Sequence, residues 1–446
     1  MVNTSAPIED AIQNSQSSIQ NRHVVLSGNG AVAHALRQVD PHVYPGYPIT
    51  PSTKIMEMVA GFIANGEMQC ELIAVESEHS AMSAAVGAAA AGARVVSATS
   101  ANGLAFMWEV LYIASGSQLP IVLAVGNRAL STPINGFADH GEAMGARDAS
   151  WIQLYSESVQ EAYDNIIQAF RIGEDERVRL PVMVCLDGFL LTHTSENVIL
   201  EDDQAVKDFV GPCRAEYTLL DPDHPVSHGL SDPPTYYMEH KMRQQAGMER
   251  ARDVVEEVGA EFGQRFGRRY GLVDTYRLED AETAIVILGS EAGRVKDVID
   301  QLRQSGQKVG LLRLRVVRPF PDEQVARQLL GLRAVAVMDR SYAPGAVGAP
   351  MFHEIRSALY DYRGSAPSII NRIYGLGGRE LRNADVQHIF AELGALARGD
   401  ETVPLIRMVG LRGEQSPTWQ ELRPLEMSEP NRIKSIVNPN LKSKIV

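Results

Sequence analysis

The chain contains 446 residues and carries a formal net charge of -13, with 45% hydrophobic and 22% charged residues. This length predicts two or three folded domains, and the acidic balance argues against a nucleic-acid partner. No apolar run approaches the roughly 18 residues of a membrane helix, and the polar N-terminus lacks a secretory signal. We therefore expect a cytoplasmic protein with no membrane partner. The cysteines, Cys70, Cys185 and Cys213, are too few to hold a 4Fe–4S cluster within this chain alone.

Residues 1–21 are predicted to form an N-terminal arm, because they are polar and show no apolar periodicity. A strand at His23–Ser27 is followed by a helix that begins with the turn Gly28–Gly30. This turn resembles a dinucleotide-binding loop, but Ala33 occupies the position of the third glycine. A tight strand-to-helix turn is the favoured interpretation, and a nucleotide-dependent dehydrogenase remains the alternative.

The first candidate site residue is Thr50, which lies between two prolines. Pro48 and Pro51 restrict the backbone and favour an extended Thr50 just before a helix. Either Thr50 or Ser52 could cap that helix. Alternatively, the rigid turn holds the Thr50 hydroxyl towards a pocket.

The segment from residue 71 to residue 92 is the centre of the prediction. Glu71–Val75 is expected to be a buried strand, and the Ala- and Gly-rich stretch after it a slim helix. Glu78 stands at the junction, where the helix dipole favours a carboxylate and where open α/β sheets bind ligands. Glu78 is therefore either a helix cap or a buried carboxylate that faces a cofactor.

Arg128 also falls just past a predicted strand, as does the polar segment Ser100–Asn102. If the strands are parallel, these groups meet Thr50 and Glu78 at one edge of the sheet. Without further support, Arg128 could equally form a surface salt bridge. The strands predicted in this region are Arg94–Thr99, Pro120–Gly126 and Leu180–Leu186.

The segment Pro133–Asp148 is predicted to be a long polar loop. Its Asp139-His140 pair is more typical of a structural contact than of catalysis, because no nucleophile is placed beside it. Together with the elements around it, this loop completes a doubly wound α/β domain over residues 22–200.

Residues 201–275 are predicted to form an acidic linker and a long helix at Tyr236–Phe266. Residues 276–400 repeat a strand-and-helix pattern, which predicts a second, smaller α/β domain, and residues 401–446 are interpreted as a C-terminal arm. The long helix carries an apolar stripe that should pack on a core, formed by Met242, Ala246, Met248, Val254 and Val255.

Five short motifs follow one another along the chain: Tyr47–Thr53, Glu76–Ala81, Asn127–Ser131, Asp187–Phe189 and Arg318–Pro321. Their order and spacing resemble the α subunit of the 2-oxoacid:ferredoxin oxidoreductases. The pyruvate:ferredoxin oxidoreductase (pyruvate synthase) branch is the most similar. The resemblance extends from about residue 23 to about residue 400. It implies a thiamine-diphosphate-binding domain of the pyrimidine type and a smaller domain like the C-terminal domain of transketolases.

The resemblance implies a role for each candidate residue. Glu78 would hydrogen-bond the aminopyrimidine ring of thiamine diphosphate and help to remove the thiazolium proton. Thr50 would contact the substrate carboxylate, and Arg128 would pair with it. The family's Gly-Asp-Gly motif, which holds Mg²⁺ and the diphosphate, is absent from this sequence. The resemblance therefore implies that the cofactor is shared with a partner subunit.

The implied reaction is the coenzyme A-dependent oxidative decarboxylation of pyruvate to acetyl-CoA and CO₂, or the reverse carboxylation that serves carbon fixation in anaerobic metabolism. Electrons would pass to ferredoxin through 4Fe–4S clusters, and these clusters and Mg²⁺ would be held by the β, γ and δ subunits. Branched-chain 2-oxoacids, 2-oxoglutarate and oxalate remain alternative substrates. A non-catalytic scaffold subunit, which uses its terminal arms to hold an assembly, is a further alternative.

Overall fold

The chain is described by a computed structural model over residues 22–215, 217–229, 231–362 and 366–412. The predicted N-terminal arm and most of the predicted C-terminal arm lie outside these residues. The elements up to residue 210 are, in chain order, β1 (Arg22–Ser27), α1 (Gly28–Val39), β2 (Val43–Gly46), α2 (Thr53–Ala64), β3 (Glu71–Ala74), α3 (Glu78–Ala90), β4 (Val96–Thr99), α4 (Ala101–Phe106), α5 (Trp108–Gly116), β5 (Val122–Asn127), α6 (Gly141–Gly145), β6 (Ile152–Tyr155), α7 (Val159–Gly173), β7 (Val182–Asp187), β8 (Ser195–Leu200) and α8 (Asp203–Val210).

The remaining elements begin with the long helix that the sequence predicts. They are, in chain order, α9 (Tyr237–Phe266), β9 (Val273–Tyr276), β10 (Thr283–Ile287), α10 (Ala292–Gln304), β11 (Val309–Leu314), β12 (Val316–Arg318), α11 (Asp322–Leu329), β13 (Ala334–Asp339), α12 (Pro350–Leu359), β14 (Ser368–Ile373), α13 (Asn383–Ala397) and β15 (Ile406–Met408).

The first sheet has the strand order β12-β6-β7-β5-β4. A parallel bridge between Val43 and Val95 extends it to the pair β2-β3. All of its pairings are parallel except that of β12 with β6. The carboxyl ends of β2, β3, β4 and β5 therefore lie along one edge, as the sequence predicts for a doubly wound domain. The separate antiparallel pair β1-β8 flanks this sheet.

The second sheet has the order β15-β14-β13-β10-β11-β9, and only its edge strand β9 is antiparallel. Helices α10 and α13 cover one face. On the other face, a single buried cluster joins apolar residues of this sheet to apolar residues of β5 and β7 in the first sheet. The two α/β sheets that the sequence predicts are both present. Because they share a core, the predicted domain boundaries stay a prediction.

Two sequence-based expectations about burial are wrong. Strand β3 was expected to be buried, but Glu71, Ile73 and Ala74 are exposed, because β3 pairs with β2 on one side and forms the edge of the sheet. On α9, Met242 is exposed rather than part of the packed stripe. The buried positions of α9 are Gln244, Gly247, Ala251, Val254, Val255, Val258, Gly259, Phe262 and Phe266.

Two segments predicted to be irregular contain helices. The loop Pro133–Asp148 includes α6, because Ala143 and Met144 pack into the core. The linker after residue 201 includes α8, which the Asp202 side chain caps and which Val206 and Phe209 anchor. Within the described ranges, none of the helices combines the length and apolar character that a membrane crossing requires.

Candidate active site at the carboxyl edge of the first sheet

Thr50 lies in the loop between β2 and α2 and is exposed, while the next two residues are buried. A buried hydrogen bond stabilises this loop: Asn29 Nδ2 donates to the carbonyl of Pro51 at 2.7 Å. Ser100 Oγ lies 3.2 Å from Ser52 Oγ. The Ser52 hydroxyl donates to the Ile49 carbonyl and makes no capping hydrogen bond to α2. Thr50 therefore stands on a supported turn, with its side chain accessible.

Arg128 follows β5 and contacts the Thr50 loop directly. Its Nη1 donates to the Thr50 carbonyl at 2.6 Å. Its Nε is buried and has no hydrogen-bond partner among the described residues. No carboxylate among the described residues forms an ion pair with Arg128. The surface salt bridge considered from the sequence is therefore not observed. The guanidinium is thus fixed at Nη1, and Nη2, which has no partner among the described residues, can bind an anion.

Glu78 is the first residue of α3, and Ser77 caps the helix. The Ser77 hydroxyl accepts a hydrogen bond from the backbone N–H of Ser80 at 3.2 Å. Glu78 is 8% exposed, and among the described residues its carboxylate has no hydrogen-bond or ion-pair partner. A carboxylate in this first turn is stabilised by the helix dipole. Since Ser77 already supplies the cap, the Glu78 carboxylate remains available for another interaction.

Gly103 of α4 provides the surface on which the Glu78 side chain rests. A Cβ atom added to Gly103 would lie 2.8 Å from Glu78 Oε1 and 2.5 Å from Thr99 Oγ1. Only a residue without a side chain fits this approach. Next to it, Asn102 Oδ1 accepts the backbone N–H of Ser131 at 3.1 Å, which ties α4 to the loop after Arg128.

The structure therefore joins Thr50 and Arg128 through a direct contact, and it places Glu78 on the neighbouring helix. Ser100, at the start of α4, contacts the Thr50 loop, and Gly103, three residues later, contacts Glu78. The three residues predicted from the sequence thus lie on adjoining loops and helix ends of one sheet edge.

Glu142 and Asn127 are the residues of this edge that sequence reasoning did not single out. Glu142 Oε1 accepts the backbone N–H of Arg128 at 2.7 Å and Asn127 Nδ2 at 3.2 Å. Burial raises the pKa of the Glu142 carboxyl to about 8, although the hydrogen bond from Arg128 acts in the opposite direction. The sequence feature that could have identified Glu142 is a single carboxylate in the segment Gly141–Gly145, whose other residues are apolar or glycine.

The Asp139-His140 segment takes part in a buried joint between the two sheets. His140 Nε2 lies 2.5 Å from Asp187 Oδ1, and Arg340 Nη1 lies 3.1 Å from Asp187 Oδ2. Burial alone would raise the pKa of the Asp187 carboxyl, but Arg340 and His140 hold it well below its usual range. The Asp187 carboxylate also accepts hydrogen bonds from Ser290, after β10. Both oxygens of Asp187 therefore have partners, so the geometry of this carboxylate is that of a structural joint.

The start of α1 offers no free donors to a nucleotide. The backbone N–H groups of Gly28 and Asn29 donate to the carbonyls of Leu191 and Thr192 at 2.9 and 3.1 Å. A dinucleotide-binding turn needs such groups to hold a pyrophosphate. The Gly28–Gly30 turn is thus used for packing against the chain itself.

An exposed apolar surface adjoins Glu78. The ring centroids of His79 and Phe106 are 5.9 Å apart, and α5 continues this surface beside α3. Exposed large apolar side chains close together are typical of an interaction face. Its apolar members on α4 and α5 are Phe106, Trp108, Tyr112 and Ile113. Across the described residues, no group of His, Cys, Asp or Glu side chains is arranged to hold a metal ion.

Two family models match this chain. Residues 34–260 match the one described as pyruvate flavodoxin/ferredoxin oxidoreductase, thiamine diphosphate-binding. Residues 281–386 match the one described as pyruvate:ferredoxin oxidoreductase core domain II. The first match includes Thr50, Glu78 and Arg128.

Curated relatives cover most of the chain. It is 50% identical over 369 residues to pyruvate synthase subunit PorA of Thermotoga maritima, which spans 83% of this chain and 94% of the relative. It is 46% identical over 367 residues to pyruvate synthase subunit PorA of Methanocaldococcus jannaschii, spanning 82% and 93%. It is 41% identical over 370 residues to ketoisovalerate oxidoreductase subunit VorA of Pyrococcus horikoshii, spanning 83% and 93%.

Among solved structures, the fold is similar to that of 2-oxoglutarate:ferredoxin oxidoreductase from Magnetococcus marinus with 2-oxoglutarate, coenzyme A and succinyl-CoA bound. The TM-score is 0.65 at 18% identity, and the match covers 84% of this chain and 66% of that chain. At this identity the likeness concerns the fold alone.

Proposed function

The chain belongs to the pyruvate flavodoxin/ferredoxin oxidoreductase family, and from this membership we propose that it is the α subunit of a pyruvate:ferredoxin oxidoreductase. Pyruvate and coenzyme A are converted to acetyl-CoA, CO₂ and a proton, and two electrons pass one at a time to ferredoxin. The reverse direction is reductive carboxylation. The observation that carries the proposal is the Glu78 carboxylate, which is nearly buried and has no partner among the described residues.

The residues around Glu78 fit the aminopyrimidine ring of thiamine diphosphate. The carboxylate is available at the start of α3, and Gly103 keeps the space beside it free of a side chain. When bound, this cofactor supplies the nucleophilic carbon and the electron sink for decarboxylation. Glu78 would share a proton with a ring nitrogen, which is a general acid–base role that the helix dipole supports.

Arg128 and Thr50 are proposed to bind the carboxylate of the 2-oxoacid. A guanidinium matches a carboxylate with paired hydrogen bonds, and the contact of Arg128 with the Thr50 carbonyl orients it in advance. The exposed Thr50 hydroxyl can donate a further hydrogen bond. Both residues would act by positioning the keto carbon rather than by chemical participation.

Partner subunits are proposed to complete the site. The sequence has no Gly-Asp-Gly motif, and its three cysteines are too few for a 4Fe–4S cluster. We therefore assign the diphosphate, Mg²⁺ and the iron–sulfur clusters to the β, γ and δ subunits, with ferredoxin as electron acceptor and coenzyme A as cosubstrate. The exposed apolar surface on α4 and α5, next to Glu78, supports a subunit boundary there.

The test is a Glu78→Gln substitution in the complete complex. Because the amide cannot share a proton with the ring, turnover should fall by at least about 100-fold while the complex still assembles. Glu67→Gln, which changes an exposed carboxylate just after α2, is the matched control and should keep full activity. Full activity of the Glu78→Gln complex would refute the proposed proton relay.

A branched-chain 2-oxoacid is the second candidate substrate, because a ketoisovalerate oxidoreductase subunit is 41% identical to this chain. Initial rates of the complex with pyruvate, 2-oxoisovalerate, 2-oxoglutarate and oxalate, using methyl viologen as acceptor, separate these substrates. We expect pyruvate to give the largest kcat/KM. A larger value for 2-oxoisovalerate would reassign the substrate and leave the roles of Glu78 and Arg128 unchanged.

A further inference from the structure

Glu142 supports the strand end that carries Arg128. It lies on α6 and is 3% exposed, and its Oε1 accepts both the Arg128 backbone N–H and the Asn127 side-chain amide. The Asn127 carbonyl in turn accepts the Gly188 backbone N–H at 2.8 Å, which fastens this strand end to β7. Glu142 therefore fixes the Arg128 backbone on one side, and the Thr50 carbonyl fixes its guanidinium on the other.

Only one oxygen of the Glu142 carboxyl is used in this contact. Its Oε2 is buried and has no hydrogen-bond partner among the described residues. A buried carboxylate oxygen without a partner is costly when it is charged. A neutral carboxyl costs less free energy to bury, because Oε1 still accepts the two hydrogen bonds while Oε2 carries no charge.

The groups that surround Glu142 offset a negative charge on it only in part: hydrogen bonds from the Arg128 backbone and the Asn127 amide favour the ionised carboxylate, but burial outweighs them. Helix α4, which packs against α6, carries no titratable residue. Asp139, on the same loop, acts electrostatically against the ionised form of Glu142. Tyr155 and Cys185 also interact electrostatically with Glu142. Burial raises the pKa of the Tyr155 phenol and of the Cys185 thiol, so both are neutral. The titratable and charged groups that interact with Glu142, or that lie on its loop and on the short helix that packs against α6, are Arg128, Asp139, His140, Arg147, Asp148, Tyr155 and Cys185.

We propose that Glu142 is a positioning residue that holds the backbone of Arg128 and thereby sets where its guanidinium meets the substrate carboxylate. This inference rests on the proposed function, since it assigns Glu142 to the binding of the same 2-oxoacid. Glu142 does not touch the substrate; it acts through Arg128.

A pH dependence of substrate binding follows from this arrangement. Burial raises the pKa of the Glu142 carboxyl to about 8 from its ordinary value near 4.5. Below that pH the group is neutral, and above it a buried negative charge lies beside Arg128. That charge, held at the Arg128 backbone N–H, repels the substrate anion, so KM for the 2-oxoacid should rise as the pH passes about 8. The substrate carboxylate stays ionised throughout this range.

The experiment compares Glu142→Gln and Glu142→Ala with the unchanged complex at saturating coenzyme A. In the unchanged complex, KM for pyruvate should rise roughly ten-fold between about pH 7 and about pH 9. Glutamine keeps one acceptor oxygen and cannot ionise, so in Glu142→Gln this rise should disappear. Alanine removes the acceptor and should raise KM about ten-fold at pH 7, with a smaller change in kcat.

Asp339→Asn is the matched control, because Asp339 is also buried and also has a raised pKa, but it lies at the end of β13 in the second sheet. It should leave the pH dependence of KM unchanged. A KM that still rises with pH in Glu142→Gln, while Arg128→Met weakens pyruvate binding, overturns this inference and leaves the proposed function intact. A complex that oxidises none of the 2-oxoacids would instead refute the proposed function.

Discussion

At the carboxyl edge of the first sheet, Glu78 has no partner among the described residues, whereas at the same edge of the second sheet both oxygens of Asp339 are used. Asp339 accepts the backbone N–H groups of Met351 and Phe352 at the start of α12, at 2.8 and 3.3 Å, and Asn371 Nδ2 at 2.8 Å. Both sheets have parallel strands, and in each sheet at least one strand ends in a polar residue, such as Asn127 in the first and Asp339 in the second. The difference shows that a parallel sheet provides an edge where a binding site can form. Such a site also needs polar groups that other residues of the chain have not already paired.

The carboxyl edge of the second sheet is covered by the loop that follows Arg128. Asn135 Nδ2 donates to the Gly377 carbonyl at 3.1 Å, and the Gly378 N–H donates to the Ala138 carbonyl at 3.0 Å. Gly378 has a φ of +75°, and a Cβ there would lie 2.3 Å from Phe137 Cβ. The second sheet thus stabilises the loop of the first one, and its own strand ends are used for that purpose.

The largest effect on activity, after that of Glu78→Gln, is expected from Arg128→Met. Methionine keeps the length of the side chain but removes the charge and the hydrogen bonds to the carboxylate. We expect kcat/KM for pyruvate to fall about 100-fold, which corresponds to about 3 kcal/mol of binding to a charged partner. Steady-state kinetics of the complete complex measures this change. An unchanged kcat/KM would mean that the first edge is no more a substrate site than the second, and would favour a scaffold role.

A smaller effect is expected from Gly103→Ala, which fills the space beside Glu78. The new methyl group would approach both Glu78 Oε1 and Thr99 Oγ1, so the carboxylate has to move. We expect the affinity of the complex for thiamine diphosphate to fall about ten-fold, with little change in KM for pyruvate. Titration of the cofactor-depleted complex with thiamine diphosphate gives the affinity. Gly61→Ala on α2, where an added Cβ meets no atom within 4 Å, is the control.

The smallest effect on activity is expected from Asp339→Asn. Both carboxyl oxygens of Asp339 accept hydrogen bonds from N–H groups. In the asparagine variant an NH₂ group replaces one of these oxygens, so it would face an N–H donor. The free energy of unfolding should fall by about 1 to 3 kcal/mol, while kcat/KM stays unchanged. Glu142→Gln should be better tolerated, since Glu142 Oε2 has no partner that an amide would oppose. Denaturant unfolding and kinetics on both variants would test this contrast, and a loss of activity in Asp339→Asn would contradict it.

Much of the fold could be predicted from the sequence, because local patterns determine it. Apolar runs predicted the strands that became β1, β4, β5 and β7, and the repeated strand-and-helix pattern after residue 276 predicted the second sheet. The Ala-rich composition predicted α3, and the positions of Thr50, Glu78 and Arg128 after strands predicted that they share an edge. Other elements were missed: β6 and α6 have too few residues to show a period, and polar residues interrupt the apolar pattern of β8 and α8, which packing against the core stabilises.

The sequence by itself determined which chemical groups this protein has and after which strands they come, since those properties depend on neighbouring residues. It also determined that the chain lacks a Gly-Asp-Gly motif and the cysteines of an iron–sulfur cluster. Only the tertiary structure decided which of these groups are paired. Arg128 meets Thr50 across 78 residues and Glu142 across 14, and Asp187 meets Ser290 across 103. Such contacts depend on how sheets and helices pack, and no local pattern of residues encodes the distance between them.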